Sequence, residues 1–498
     1  MPITEADLKT KTAKGFFWGA LNSGAMQVLN AVFGIVLARK LGQADYGLIG
    51  MLNIFTLIAN SLQESGFVTA LTNKRDATQR DYNAVFWFNI GVSLFLYTLF
   101  FFCAPLISWF FDEPILTDLS RYYFAGFVIA SFSIVPRAIL FRQIKQKELA
   151  IMGLISLLVS GIVGITMAYN GMAFWGLATQ TLTFNLMVSI LSWMLSGWKP
   201  SFQFTFAPIR EMFGFSSKML ITNIMNQVNN NIFPLVLGRI YTKVEVGTYT
   251  QANKWNMMGA STITGMVQGV AQPTFVEVGD DLERLRRAFS KMLRFTSFVS
   301  FPVMFCLALV APEFIVTLIK EKWLSSAHLM QILCIGGAFL PIATLYFNLI
   351  ISRGKSDVYM WNVIAQGCAI LGAILMIYGL GFGDLDFSLF TIHFSLQTLT
   401  LMVIAYVAIV ILWTGIWHRF LYQEIRYPFL SALKDMLPFL LIAAVTMLIT
   451  WFATRWIEDL LILLIVRILL AAVLYLGILW LFGAKILKEC IGYLLKRK

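Results

Sequence analysis

Long apolar runs separated by short polar connections fill the chain from end to end. A helix needs about 20 mostly apolar residues to cross ~30 Å of hydrocarbon, and fourteen runs reach that length. Because hydrocarbon offers no hydrogen-bond partner, each run must satisfy its own backbone and so forms a helix. We place the spans at 15–38, 47–71, 83–111, 121–139, 149–168, 173–195, 213–238, 247–272, 293–318, 327–351, 359–380, 388–413, 436–454 and 460–482.

Composition supports this pattern. The chain is 58% hydrophobic and 13% charged, with a mean hydropathy of +0.75, which excludes a solvated globule of 498 residues. The apolar runs are also about twice as long as the strands of a membrane barrel. The sequence therefore predicts an all-α integral membrane protein with about fourteen transmembrane helices.

The basic residues indicate how the chain is oriented. The net charge is +12, and 27 of the 38 lysines and arginines fall in loops and ends on the side that holds both termini, against eight on the other side. Cytoplasmic loops carry such an excess, so we expect both termini in the cytoplasm. The basic charge then serves topology rather than nucleic-acid binding, and the basic tail is expected to touch anionic headgroups.

An internal repeat organises the chain. Residues 27–47 and 227–247 share eight of 21 positions at a shift of 200, and the same shift aligns Asp45 with Glu245 and Asn53 with Asn253. Six spans separate the copies, which gives both the same orientation and makes the repeat parallel. We predict an N-terminal lobe over 1–212, a C-terminal lobe over 213–413, and two appended helices with a basic tail over 414–498. Substrate is expected near the midplane, between the two lobes.

Several stretches then resemble a known family. They are LARKLGQADYGLIGMLNIF at 37–55, TNKRDATQRDYNAVFWFNIGVSLFLYTLFFFCAPLI at 72–107, GTYTQANKW at 247–255 and QPTFVEVGDDLERLRRAF at 272–289. Together they resemble polysaccharide-unit flippases of the Wzx type, in the multidrug/oligosaccharidyl-lipid/polysaccharide exporter superfamily, and most of all the colanic acid and lipopolysaccharide exporter branch. The resemblance runs from about residue 14 to residue 480.

The resemblance implies a transport function. The implied activity is alternating-access transfer of an undecaprenyl-pyrophosphate-linked oligosaccharide from the cytoplasmic to the periplasmic leaflet of the bacterial inner membrane, for surface polysaccharide synthesis. The implied partners are the lipid-linked oligosaccharide and membrane lipids, with the polysaccharide polymerase and chain-length machinery as further candidates. No nucleic acid, cofactor or metal is expected.

Amides on spans 1 and 7 are candidate substrate ligands. Asn223, Asn226, Gln227 and Asn230 follow i, i+3, i+4, i+7 spacing and share one helix face, and Gln27 and Asn30 occupy the corresponding face of span 1. Amides donate and accept hydrogen bonds, which suits sugar hydroxyls. The alternative is that they join helices, at about 0.6 kcal/mol per bond.

Span 8 carries a polar face with a lysine. The face consists of Thr250, Lys254, Ser261, Gly265, Gln268 and Gln272. An intramembrane lysine costs roughly 2.5–3.5 kcal/mol, and a pyrophosphate offers the concentrated negative charge that would use it. Lys254 and Gln268 are therefore candidate substrate ligands. The alternative for Lys254 is snorkelling to the interface.

Three other charged residues within spans are candidates. Lys218, early in span 7, could meet substrate or a lipid headgroup. Glu64 in span 2 could carry a coupling ion, or pair with a neighbouring amide or lysine. Arg467 in span 14 has no obvious partner in the sequence and could face a groove for the polyprenyl lipid, or snorkel.

Competing functions lack their expected residues. Polysaccharide polymerases resemble proteins with a large periplasmic loop, and the longest connection on that side here covers about nine residues, near 112–120. The sequence shows no nucleophile–base pair, metal-ligand spacing or phosphate-binding glycine loop, so an enzyme is not expected. Multidrug exporters of the superfamily with a coupled site resemble proteins that carry an aspartate on span 1, and lipid II flippases tend to carry several arginines on spans 1, 2 and 8. Span 1 here has no carboxylate, and Lys254 is the comparable charge on span 8. Both absences favour an oligosaccharide-lipid substrate, with a multidrug exporter and a lipid II flippase as the alternatives.

Overall fold

The computed structural model describes most of the chain. The described residues are 24–64, 78–143, 145–201, 223–225, 227–228, 231, 233–278, 281–380, 385–389, 392–396, 398–484 and 486. They divide into two compact units, Met1–Gly247 and Thr248–Lys498. This division lies C-terminal to the lobe boundary that we place at 212/213, and the lobe limits stay a prediction.

The first unit is built from helices throughout its described part. They are α1 over 24–40, α2 (Gln43–Glu64), α3 (Gln79–Phe111), α4 (Leu116–Arg142), α5 (Gln146–Tyr169), α6 (Ala173–Ser196) and α7 over 233–240. Helix α4 packs on α3 and α6, and α5 packs on α6. Buried phenylalanines fill the centre of this group, with Phe124 5.1 Å from Phe100 and 5.0 Å from Phe127 between ring centroids.

The second unit begins within one long helix. Helix α8 (Lys243–Glu277) crosses the unit boundary and is followed by α9 (Leu282–Leu309), α10 (Ala311–Ile319), a 3-10 turn (Glu321–Trp323), α11 (Leu324–Gly337), α12 (Leu340–Ser352), α13 (Ser356–Gly379), strands β1 (Leu385–Leu389) and β2 (Ile392–Leu396), α14 (Thr398–Ile425), α15 (Phe429–Thr454) and α16 (Leu460–Leu481). Helix α9 packs on α15 and α11, while α16 packs on α15 and α10.

The lengths of the helices and their exposed apolar side chains confirm that the chain spans a membrane. Ten described helical segments are long and apolar enough to span a bilayer, whereas the full number of fourteen stays a prediction. Large apolar side chains face outward: Phe102 and Trp109 on α3 are 74% and 75% exposed. A soluble protein would bury such a stripe, so lipid must cover it. The chain is a multi-pass membrane protein of the all-α class.

One span differs from its predicted limits. We expect span 12 at 388–413, but the chain pairs β1 with β2 as an antiparallel hairpin, Phe387 opposite Phe394, and the helix begins only at Thr398. The sequence explains the difference, because Asp384, Asp386 and Ser388 alternate with apolar residues at the period of a strand.

The repeat appears as two matching helix starts. The Asp45 carboxylate accepts a hydrogen bond of 2.8 Å from the Gly42 amide, and the Glu245 carboxylate accepts one of 3.0 Å from the Thr242 amide. In each case an acid in the first helical turn reaches back to the residue that caps the helix. The shift of 200 therefore relates structural roles as well as residue types.

The first turns of α2 and α8 cross so closely that no side chain fits between their backbones. A Cβ added at Gly47 would overlap the carbonyl oxygen of Lys243, and one added at Gly247 would overlap the carbonyl oxygen of Gln43. The two contacts are related by the shift of 200. A salt bridge of 2.9 Å between Lys243 Nζ and Glu113 Oε2 lies beside them. Glycine is thus required at both positions for backbone approach.

We expect Gly47→Ala and Gly247→Ala each to lower the thermal unfolding midpoint, because the added methyl forces the helix starts apart at a cost of about 1–3 kcal/mol. Gly91→Ala is the matched control, since nothing lies within 4 Å of its added Cβ and alanine favours the helix by roughly 0.5–1 kcal/mol. Thermal unfolding in detergent checks both. Equal midpoints for Gly47→Ala and Gly91→Ala would contradict the tight crossing.

Candidate functional site

Lys254 lies about three turns into α8, and its charge is held by an aromatic ring. Its Nζ is 5.8 Å from the centroid of Trp255, within the range of a cation–π interaction. The lysine is half-buried, and within the described part of the chain it forms no ion pair. The ring reduces the cost of the charge without neutralising it, so the ammonium can still attract an anion.

The polar face around Lys254 is open. Ser261, Gly265 and Gln268 are exposed on α8. On the opposite side of the helix, Asn256 is 2% exposed and its side chain lies against Gly337 of α11 in the second unit. The predicted face is therefore accessible from Ser261 to Gln268, with the half-buried Lys254 two turns before it. The side chain of Gln272 lies outside the described residues.

The predicted amide face is described in part. Gln27 on α1, Asn223 and Gln227 are half-buried, and Asn30 is exposed. Asn226 and Asn230 lie outside the described residues. The Asn231 side chain, absent from our predicted face, donates a 3.0 Å hydrogen bond from Nδ2 to the Gln227 carbonyl. No hydrogen bond joins the described amides of α1 to Asn223 or Gln227, and their role in binding stays a prediction.

Sequence reasoning missed a buried amide next to Glu64. Gln63 is 1% exposed, and its Nε2 donates to Ser93 Oγ at 2.8 Å and to the Phe127 carbonyl at 3.0 Å. These bonds join α2 to α3 and α4. Glu64 ends α2, but its side chain lies outside the described residues, as does Lys218. Their predicted roles are not tested.

Arg467 has a partner that the sequence did not reveal. Its Nη1 lies 2.7 Å from Glu313 Oε1 on α10, and its Nε donates to Thr454 Oγ1 at 3.1 Å. Arg467 is 6% and Glu313 7% exposed. This ion pair accounts for the deep charge without a lipid phosphate, whereas the predicted groove role stays untested. The missed signal was an acid inside the predicted span 293–318.

The arrangement combines an open polar helix face with Lys254, a cation that has no ion pair among the described residues. Those residues also hold no cluster of metal-ligating side chains. A structure of the lipid II flippase MurJ in its inward closed conformation matches with a TM-score of 0.75 and 14% identity, over 95% of this chain and 99% of that chain. At that identity the likeness defines the fold. The protein thus has the all-α fold of a multi-span membrane flippase.

Sequence comparison supplies the family. The chain belongs to the polysaccharide biosynthesis protein family, whose profile matches residues 36–328. It is 25% identical to the lipopolysaccharide biosynthesis protein WzxC of Escherichia coli K12, over 72% of this chain and 73% of that protein. It is 24% identical to the teichuronic acid biosynthesis protein TuaB of Bacillus subtilis, over 80% and 79%. The resemblance to Wzx-type proteins is confirmed.

The Arg467–Glu313 pair predicts a stability pattern. We expect Arg467→Met or Glu313→Gln alone to destabilise the fold by about 3–5 kcal/mol, since each leaves a buried partner unpaired. The double variant should recover most of this loss, because no uncompensated charge remains. Unfolding in detergent across the four proteins of this cycle gives the coupling. Additive losses in the double variant would rule out a direct pair.

Proposed function

We propose that this protein is a flippase that moves an undecaprenyl-pyrophosphate-linked oligosaccharide from the cytoplasmic to the periplasmic leaflet by alternating access. The family match over 36–328 carries the proposal. Support comes from relatives named for the biosynthesis of two different polymers, lipopolysaccharide and teichuronic acid. The likeness of the fold to a solved lipid II flippase supports a transporter rather than an enzyme.

Lys254 is proposed to attract the pyrophosphate. Lys254 is half-buried as a residue, and the described partner of its ammonium is an aromatic ring. A charge-assisted hydrogen bond to phosphate is stronger there than in water, because the surrounding dielectric is lower. The same charge costs several kcal/mol when nothing binds it, so binding an anion offsets a cost already present in the fold.

Gln268 and the described amides are proposed to form hydrogen bonds with the sugars of the substrate. Lys254 and Gln268 are fourteen residues apart on one helix, which corresponds to ~21 Å at 1.5 Å per residue. A face of that length can hold a pyrophosphate at one end and several sugar rings along the remainder. Amides suit sugar hydroxyls because they donate and accept. The described amides on α1 and at 223 and 227 are proposed to bind sugar hydroxyls in the same way.

The proposed orientation places both termini in the cytoplasm and the protein in the bacterial inner membrane. The 27-to-8 distribution of basic residues supports it. In this orientation Lys254 lies nearer the periplasmic end of α8, and the basic start of α9 lies at the cytoplasmic end. The polysaccharide polymerase and the chain-length machinery are proposed as partners, because they would receive the flipped unit.

The proposal is tested by charge substitutions in a strain that lacks the gene. We expect Lys254→Arg to restore much of the surface polysaccharide, and Lys254→Gln and Lys254→Glu to fail progressively. Losing a charge-assisted hydrogen bond costs about 1.5–3 kcal/mol, or roughly 10- to 150-fold in binding. Lys355→Gln, a lysine at the start of α13, is the control for charge loss. Surface polysaccharide is quantified at matched expression.

Each alternative gives a different result. An active Lys254→Gln protein would exclude the pyrophosphate role and favour a snorkelling lysine. Normal surface polysaccharide after gene deletion, with rescue of a strain that lacks lipid II flipping, would exclude the proposed substrate class.

The orientation has its own test. In a background without native cysteines, we expect Trp456→Cys, between α15 and α16, to react with an impermeant thiol reagent applied to intact cells. Lys355→Cys should react only after the membrane is opened, because it lies on the basic side of the predicted topology. Labelling of both sites before lysis would contradict the proposed topology.

A further inference from the structure

A basic cavity lies where α9 begins and α15 begins, within the second unit. Its volume is about 700 Å³, in the size range of small-molecule sites. Five cationic residues line it: Arg286, Arg287, Lys291, Arg294 and Lys434. Asp435 is the lining carboxylate, and Pro438 and Phe439 form part of an apolar wall. The cavity therefore combines excess positive charge with an apolar side.

Among the described residues, Asp435 is the one carboxylate that lines the cavity, and it already has hydrogen-bond and ion-pair partners. Asp435 Oδ2 accepts a 2.5 Å hydrogen bond from Ser290 Oγ and another from the Tyr427 hydroxyl, and Asp435 Oδ1 lies 3.4 Å from Arg294 Nε. Burial, with the neighbouring Asp435 adding to it, raises the pKa of Tyr427 to about 12, which keeps this hydroxyl protonated as a donor. Asp435 thus fixes Arg294 in place, while Arg286, Arg287 and Lys434 form no ion pair with any described residue.

Backbone contacts hold two of these cations at the cavity. Arg286 Nε donates to the carbonyl of Ile425, at the end of α14, and Arg287 Nε donates to the Glu283 carbonyl at 3.3 Å. A carbonyl orients a guanidinium without cancelling its charge. Each arginine has five N–H donors, so each keeps donors for an anion with several acceptor oxygens.

The fold itself does not require this charge. Counted from the first residue of each helix, α3 carries the uncharged residues Asn83, Ala84, Phe88 and Gly91 where α9 carries Arg286, Arg287, Lys291 and Arg294. Helix α3 begins and packs without a basic face. The positive-inside rule concerns the number of basic residues on a side, and it does not require that five of them line one cavity.

We propose that this cavity binds the phosphate of an anionic membrane lipid. The cations meet the phosphate oxygens, and the apolar wall formed by Pro438 and Phe439 receives the beginning of the lipid chains. Basic pockets between transmembrane helices on the cytoplasmic side recognise such headgroups. The choice of leaflet rests on the orientation proposed above, whereas binding itself requires neither transport nor the Lys254 site.

The test measures lipid binding by purified full-length protein in detergent. The probe is a fluorescent phosphatidylglycerol, with phosphatidylcholine, a polyprenyl phosphate and inorganic pyrophosphate as competitors. We expect the probe to bind and the R287Q/K434Q variant to lose roughly 30-fold in affinity at low salt, since each basic residue near the surface contributes about 1 kcal/mol. The matched control is R284Q/K355Q, which removes two charges outside the cavity.

A conservative variant controls for folding. R287K/K434R keeps both charges and should bind like the parent protein, and thermal unfolding verifies that each variant is folded. Competition by the polyprenyl phosphate as strong as that by phosphatidylglycerol supports the shared lipid-phosphate chemistry, with the polyprenyl carrier as a second source.

Three outcomes overturn the proposal. Equal loss in R287Q/K434Q and R284Q/K355Q means diffuse charge rather than a site. Competition by inorganic pyrophosphate as strong as that by phosphatidylglycerol means that the lipid portion contributes nothing. Displacement by phosphatidylcholine as effective as by phosphatidylglycerol means that charge is not recognised. Because none of these measurements involves flipping, failure here leaves the transport proposal to its own test.

Discussion

A charge or an unpaired polar group is expensive in hydrocarbon, and this constraint governs the structure. It makes every span a helix, and it leaves each deep charge in need of a local solution. Arg467 is paired with Glu313, which makes that charge structural. Lys254 rests on the ring of Trp255 without an ion pair among the described residues. The difference between these two cations is the physical basis for proposing a transport role for Lys254 and a stabilising role for Arg467.

In the second unit, the polar face, the buried ion pair and the basic cavity lie on different helices. Helix α8 offers an open polar face, the Glu313–Arg467 pair ties α16 to α10, and the start of α9 gathers positive charge against α15. A flippase must handle a lipid with an anionic head and a long apolar chain, so polar and apolar surfaces must run side by side through its structure. Placing the structural charges in buried pairs keeps those surfaces free for the moving lipid.

Much of the fold could be predicted from the sequence, because length and hydropathy alone determine which segments enter a bilayer. The repeat correctly predicted the equivalence of Asp45 and Glu245, whose carboxylates accept hydrogen bonds from the capping residues of matching helices. The ion pair between Glu313 and Arg467 could not be predicted, because the two residues are 154 positions apart and no periodicity relates them. The β1–β2 hairpin was missed because an apolar window hid its period-two alternation. The amide face was predicted from spacing alone, and spacing cannot distinguish a ligand from a helix contact.

The crossing of Gly47 and Gly247 has a consequence for the history of the chain. Gly47 lies against the backbone of Lys243, and Gly247 lies against the backbone of Gln43. The shift of 200 relates Gln43 to Lys243, so the same contact is made twice and is self-complementary. Self-complementary surfaces are those of two-fold homodimers, in which one residue serves both halves. A half-length ancestor carrying one such glycine would have formed this crossing twice on dimerising. Fusion of two copies would then preserve the contact. The two halves could afterwards diverge elsewhere, as the basic face of α9 and the uncharged face of α3 have done.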